Sequence, residues 1–364
     1  MSEREDKIGG TTPGAWRRAI VWASIAALTA AFVIGGIMRG GWLSDLPVGD
    51  PDWQRCNSPQ ADLRMAGCTA VINSPHATRR AVFVALFRRG AGYLRKGNNA
   101  SAIADETRAI GLSSGSFAPF AARGTAYENE SKYDKAIADE TRAISLNPGN
   151  AYSYLIRGLA HYHSGHETLA IADETRAIQL NPTDMRAYVY RGGVYKDEGK
   201  YALAVADETR AIALKPSALA FIYRGIAHEH LGQHDLAIAD NTGALGLNPN
   251  DPLALNNRCW SRAVAGKDYA LALADCNKAL QINAHDAAAL DSRGVIELKT
   301  GQIRQAISDF DASLKIGKNP GSLYARGVAE LRSGNKRAGD ADMAAAKAID
   351  GSIETTYAAY GIRP

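Results

Sequence analysis

The sequence has no P-loop, no H-E-x-x-H, no C-x-x-C and no dinucleotide fingerprint, so nucleotide hydrolysis, zinc proteolysis, dithiol redox chemistry and hydride transfer lack their usual carriers. It has no run of five basic residues either, and a formal charge of +4 spread over 364 positions gives nucleic acid no patch to grip. Cysteine is scarce, and its four copies fall into two local pairs, Cys56 with Cys68 and Cys259 with Cys276. What is left is the composition of an ordinary folded helical protein, 46% hydrophobic and 22% charged.

What the chain does have is a repeat. The nine-residue string Ala-Ile-Ala-Asp-Glu-Thr-Arg-Ala-Ile begins at Ala102, Ala136 and Ala170, and again at Ala204 with Val205 in place of Ile, a step of 34 residues. An Arg-Gly pair keeps the same step upstream, at Arg89, Arg123, Arg157, Arg191, Arg224, Arg293 and Arg326, with Arg258-Cys259 in the remaining place. Eight units therefore run from about Phe83 to about Ser352. Each reads as two helices, one around the Arg-Gly pair and one carrying the Ala-Ile-Ala-Asp string, separated at Gly97, Gly165, Gly199, Gly232, Gly266, Gly301 or Gly334. The second helices stop near Pro148, Pro182, Pro216 and Pro249, because proline cannot continue a helix. A lone helix pair cannot bury its apolar stripe, whereas a stack of eight forms one continuous all-α core without strands. Glycine in mid-helix costs about 1 kcal/mol against alanine, so its return at one slot predicts close helix contact. The matching small face is expected at Ala102, Ala136, Ala170, Ala204, Ala237, Ala272 and Ala306.

The period, the helix pair and the small-residue slots closely resemble the tetratricopeptide repeat, whose period is the same. The resemblance covers roughly three quarters of the chain and implies a right-handed α-solenoid of about eight helix pairs. It also implies that the first helices line the concave surface. The slots three before and one after each glycine, with the one four after close by, then give Leu155, Leu159, Tyr162, Val189, Ile222, Ile226, Trp260, Tyr324 and Val328, beside Tyr152, Tyr190 and Tyr223. Any one of these could equally be core, but together they describe an apolar groove for a peptide or a helix. Chaperone-binding members of the family grip a terminal carboxylate with Lys and Asn. Here those slots hold Phe87 and Ala91, then Ala121 and Thr125, which argues against a cytosolic chaperone adaptor.

Residues 19–38 stand apart as twenty positions without a charge, enough for a helix to cross about 30 Å of hydrocarbon. They are read as a transmembrane helix. A cleaved signal peptide is the competing reading, but Phe32, Val33, Ile34, Ile37 and Met38 prolong the apolar stretch and no clean Ala-x-Ala site follows it. Arg4, Lys7, Arg17 and Arg18 precede the span, against Arg39 and Arg55 after it, which places the N-terminus in the cytoplasm and the repeats outside. Ala19, Ala23, Ala27, Ala31 and Gly35 make a small-residue stripe that would let two spans approach as a homo-oligomer.

The expected organisation is a cytoplasmic segment at 1–18, the membrane helix at 19–38, a linker at 39–56, a leading helix and cap at 57–82, the repeats at 83–353 and a tail at 354–364.

Cys259 takes the glycine slot of the sixth unit, and Cys276 sits in the second helix of the same unit. If those slots face each other, a disulfide would clamp the hairpin and contribute about 3 kcal/mol; the alternative is two buried thiols. Cys56 and Cys68 flank a short expected helix, Ala61 to Ile72, with the same two readings. Oxidised pairs fit the outward topology. The segments around these cysteines and the tail from Gly339 to Gly361 resemble exported proteobacterial tetratricopeptide proteins, which implies export rather than an activity.

Three motifs could suggest other chemistry. His161, His163 and His166, and then His228, His230 and His234, form two clusters, but i and i+2 residues point to different helix faces and no metal-ligand spacing accompanies them. Gly111-Leu112-Ser113-Ser114-Gly115 matches a nucleophile elbow, yet lies after a second helix rather than between strand and helix. The adjacent Asp105 and Glu106 diverge on a helix and recur in every copy of the string. The eight Arg of the first helices and Asp105, Asp139, Asp173, Asp207, Asp240, Asp275, Asp309 and Asp342 are instead expected to form a ladder of ion pairs, each contributing about 0–1 kcal/mol if exposed.

These residues describe a non-enzymatic interaction scaffold without metal or cofactor, single-pass in a bacterial inner membrane, with periplasmic repeats taking an unidentified protein or peptide. A structural subunit of a cell-envelope complex, and a membrane-tethered adaptor facing the cytoplasm, are the alternatives.

Overall fold

The computed structural model describes residues 46–364. The expected membrane span at 19–38 lies outside the described residues. Among the described residues all regular structure is helical, and no helix there is long and apolar enough to cross a membrane.

Helices α1 (Pro51–Cys56) and α2 (Ala61–Asn73) lead into eight hairpins. Their first and second helices are α3 (Arg79–Arg95) and α4 (Asn99–Leu112), α5 (Phe117–Asn129) and α6 (Tyr133–Leu146), α7 (Ala151–His163) and α8 (Glu167–Leu180), and α9 (Met185–Asp197) and α10 (Tyr201–Leu214). The series continues with α11 (Ala218–His230) and α12 (His234–Leu247), α13 (Pro252–Ala265) and α14 (Tyr269–Ile282), α15 (Ala287–Lys299) and α16 (Ile303–Ile316), and α17 (Pro320–Arg332) and α18 (Lys336–Ile349). A short helix, α19 (Ile353–Ala359), follows. The chain divides into two compact units at Val194 and Tyr195, within α9.

The turn inside each hairpin carries a residue in the left-handed region, and that of the sixth carries a second, Asp268 at 50°. Gly97, Gly165, Gly199, Gly232, Gly266, Gly301 and Gly334 all have φ between 69° and 92°, and Ser131, at 59°, fills the place in the second hairpin. Without a Cβ, glycine takes this conformation freely, which is why it recurs where the chain must reverse after a helix.

In six hairpins the glycine slot of the first helix is opposed by a larger side chain of the second helix. A Cβ on Gly90 would strike the Glu106 carboxylate, one on Gly124 would lie 2.7 Å from Glu140 Oε1, and one on Gly158 would lie 2.6 Å from Glu174 Oε1. Gly225 faces Asn241, Gly294 faces Phe310 and Gly327 faces Met343 in the same way. The partner expected from the sequence was the alanine face, and the alanines are indeed buried. The contact that requires glycine is nevertheless with the residue four positions later.

In the sixth hairpin the two slots are joined covalently. Cys259 and Cys276 form a disulfide with a Cα–Cα distance of 5.6 Å. Cys56 and Cys68 form the second, at 4.4 Å, and bind α1 to α2. There Trp53, Cys56, Cys68, Val71 and Ile72 make one core with Val84 and Leu86 of the first hairpin.

The arginine ladder forms in a richer way than a row of pairs. Arg123 grips Asp139 with Nε and Nη2 at 2.7 and 2.9 Å, and its Nη1 donates to Thr107 Oγ1 of the preceding hairpin at 3.0 Å. Arg157 repeats this on Asp173 and Thr141, Arg224 on Asp240 and Thr209, and Arg258 on Asp275 and Thr242. Arg89 reaches Asp105 and Thr69 of α2, Arg293 reaches Asp309 and Asn277, and Arg326 reaches Asp342 and Asp311. Each of these seven guanidiniums therefore closes its own hairpin and docks it on the element before. These pairs are not exposed: the Asp139 side chain is 10% accessible and that of Arg123 18%, so the energetic expectation for exposed pairs is too low.

Candidate interaction surface on the first helices

Six of the twelve residues expected to line a groove are buried: Leu155, Leu159, Val189, Ile222, Tyr324 and Val328. Within each unit neighbouring first helices touch one another, and their aliphatic side chains fill the seam. Leu155 packs with Ala177 and Ala187, and Ile222 with Ala244, Ala254 and Leu255. These residues hold hairpins together and are not available to a partner. Tyr162, Tyr190, Tyr223, Ile226 and Trp260 are half-buried on the same helices and keep accessible surface.

In the N-terminal unit the first-helix surface is aromatic with polar tips. The Tyr152 hydroxyl lies 3.2 Å from that of Thr125. The Arg186 guanidinium stands 5.6 Å from the Tyr152 ring centroid, aimed by two bonds to Asp184 at 2.9 and 2.6 Å. Burial pushes the phenols of Tyr152 and Tyr190 up, so both stay protonated. His163 Nδ1 sits 3.1 Å from Glu128 Oε1. Thr125, Glu128 and Arg186 are buried, so these polar groups lock neighbouring first helices together, and the half-buried Tyr152, Tyr162 and Tyr190 are what this surface offers to a polypeptide.

Four of the clustered histidines meet neighbours within their own hairpins, whereas His163 faces Glu128 and His230 stacks on Tyr201 of the preceding hairpin. His228 Nδ1 is 2.5 Å from Gln233 Oε1 and His234 Nδ1 is 3.0 Å from Glu229 Oε1. The His161 and His166 rings meet edge to face at 5.9 Å, and burial lowers the pKa of His161. Among the described residues no three His, Cys, Asp or Glu are placed to hold a metal ion.

The buried glutamates escaped sequence reasoning. Glu106, Glu140, Glu174 and Glu208 have no exposed surface, and none of their carboxylate oxygens has a protein hydrogen-bond partner. Burial first, and the adjacent Asp105 second, push Glu106 well above the usual carboxyl range. Glu140 is raised likewise, with the Ser153 hydroxyl close enough to pull it partly back but forming no hydrogen bond. The signal was present: Ala102, Glu106 and Ala109 stand at i, i+4 and i+7, one helix face.

In the C-terminal unit α13, α15 and α17 pack against residues 353–362. Tyr360 meets Trp260 of α13 edge-on at 5.5 Å, and Tyr357 meets Tyr324 of α17 at 5.4 Å. Ile353, Tyr357 and Ile362 are at most 5% exposed, in one cluster with Val295, Leu298, Tyr324 and Val328. A Cβ on Gly321 would collide with the Tyr357 hydroxyl. Arg332 Nη2 donates to the Arg363 carbonyl at 2.8 Å.

Residues 121–264 match the family model of the ETO1 C-terminal domain. No curated protein sequence matches. Among solved structures the chain is similar to the APC/C hetero-tetramer Cut9–Hcn1, with a TM-score of 0.56 and 15% identity over 82% of its length, and it spans 59% of that chain. It is also similar to a tetratricopeptide repeat protein from Parabacteroides merdae, with a TM-score of 0.51 and 21% identity over 71% of this chain and 98% of that one. At such identities the likeness is one of fold. With the repeated hairpins and their glycine crossings, it gives this chain a tetratricopeptide-like repeat fold.

Proposed function

We propose that the chain is a non-enzymatic protein-interaction scaffold, held in the bacterial inner membrane by residues 19–38, whose repeats face the periplasm and take a peptide or helix on their first helices. The observation that carries the binding reading is the set of half-buried aromatics, Tyr162, Tyr190, Tyr223 and Trp260, on first helices that rigid hairpins hold in place. A rigid scaffold loses little entropy on binding, and repeat folds of this type present extended binding faces. The periplasmic placement is supported by the two disulfides, which persist in oxidising compartments, and by the basic residues before the charge-free run.

A constitutive assembly role has its own support. Leu203, Leu236 and Leu271 occupy one slot at the start of successive second helices and are 49–54% exposed, as is Leu169 at 50%. Exposed leucines at a repeated slot suit a surface that a partner covers.

The test separates the two. Replacing Tyr162, Tyr223 and Ile226 with Ala is expected to abolish co-purification of a partner from membranes while leaving circular dichroism unchanged. If instead Leu203→Glu with Leu236→Glu dissolves the complex and the first-helix variant does not, the scaffold reading gives way to the assembly reading.

A further inference from the structure

The last turn and tail of the chain look like a bound ligand more than a cap. We infer that the first-helix surface of the sixth to eighth repeats is a peptide site whose resident occupant is the chain's own segment Ile353–Ile362, displaceable by a partner segment that presents two tyrosines one helical turn apart between aliphatic residues. The inference rests on the scaffold reading above and names the partner class.

The segment is amphipathic at helical spacing. Ile353, Tyr357 and Tyr360 follow one face, and Ile362 continues it past the helix end. The opposite side, Glu354, Thr355 and Ala359, is exposed, as are Gly361, Arg363 and Pro364. A capping helix would be expected to cover the last hairpin alone. This one reaches further back: Tyr357 packs on Tyr324 of the eighth repeat, and Tyr360 stands against Trp260 of the sixth. The two tyrosines also contact each other at 5.8 Å, so they enter as a single aromatic wedge. One buried aromatic anchor, Tyr357, and one half-buried, Tyr360, flanked by buried isoleucines on a segment whose other side is exposed, make the pattern of a helix laid in a groove.

The polar contacts agree. Arg332 holds the Arg363 carbonyl at 2.8 Å, a main-chain bond that any sequence could accept. Lys347 Nζ meets Glu354 at 2.6 Å with both side chains about half exposed, and such a pair is screened and weak. Gly321 leaves the space that the Tyr357 hydroxyl fills. The side-chain fit is thus concentrated in the aromatic wedge and its flanking isoleucines, and the join to the repeats is the exposed turn at Gly351 and Ser352.

The test uses the full chain with a specific protease site in place of Gly351-Ser352, cut after folding. Excess labelled synthetic peptide covering 353–364 is then added, while fluorescence anisotropy, the emission of Trp260 and helical circular dichroism are followed. The expected result is saturable exchange, with the cut segment released and the helical signal kept. A peptide carrying Tyr357→Ala and Tyr360→Ala should bind at least about thirtyfold more weakly, the loss expected for truncated aromatic anchors. A segment that never exchanges, or leaves only as the repeats unfold, overturns the proposal. A second measurement needs no cleavage: in the uncut Tyr360→Ala chain, Trp260 emission should shift to the red and the wild-type peptide should bind, and absence of binding would count against the site. Partner capture that still depends on Tyr162 and Tyr223 when the tail does not exchange would leave the scaffold reading standing and remove only this one.

Discussion

At the scale of single residues the notable feature is a row of carboxyls in the hairpin crossings. Glu106, Glu140, Glu174 and Glu208 are raised on folding from the ordinary 4.5. A group protonated in the folded chain but ionised in the unfolded chain makes folding take up a proton, so stability is greatest near and below pH 4.5 for these groups and falls as pH rises toward their raised values. The unfolding midpoint in urea is therefore expected to be lower at pH 8 than at pH 5. Glu140→Gln, which keeps the shape and cannot ionise, should raise the midpoint at pH 8 and narrow the difference; equal midpoints in the two proteins at both pH values would contradict the assignment. Gly67 is a second sensitive point. A methyl group there would strike the backbone of Arg55 and Cys56, which cannot retreat as a flexible side chain can. Gly67→Ala should cost about 1–3 kcal/mol, the range for overpacking, read by thermal unfolding of the oxidised chain.

At the scale of elements, each arginine fork holds two interfaces at once. Removing Arg157 frees Asp173 inside its hairpin and Thr141 in the one before. Arg157→Ala is expected to cost about 2–3 kcal/mol, somewhat less than for a fully buried pair, whereas loss of an exposed pair would be below about 1 kcal/mol; a denaturant titration decides between them. The bond between Cys259 and Cys276 closes a loop of sequence separation 17. Changing both to Ser should cost about 3 kcal/mol, and that loss should vanish when wild type and variant are compared under reducing conditions.

Much of this was legible beforehand, because the crossing glycine, the Asp-Glu-Thr-Arg string and the turn glycine recur at fixed spacing, and each reports a local requirement. Both cysteine pairs form the disulfides that their positions suggested. The burial of Leu155, Leu159, Val189, Ile222 and Tyr324 was not legible. A helix wheel gives the face a residue occupies, but not how close the neighbouring helix comes to cover it. Thr107, Thr141, Thr175, Thr209 and Thr242 were equally opaque, since their partners lie in the next hairpin, 15 or 16 residues on. The terminal helix, seven residues long and outside the period, had no repeat to announce where it would dock.

At the scale of the whole molecule, the Arg to Asp forks recur from hairpin to hairpin, while the first helices carry the half-buried Tyr162, Tyr190, Tyr223, Ile226 and Trp260. That division, recurrent joints with an aromatic face, suits the proposed scaffold. The measurement that tests it most directly is site-specific photocrosslinking in intact cells, with a photoreactive residue placed in turn at Tyr162, Tyr223, Arg142 and Leu236. The account predicts discrete adducts to a polypeptide from Tyr162 and Tyr223 on the first helices and none from Arg142 or Leu236 on the second. Adducts from Arg142 and Leu236 alone would contradict it and move the working surface to the second helices.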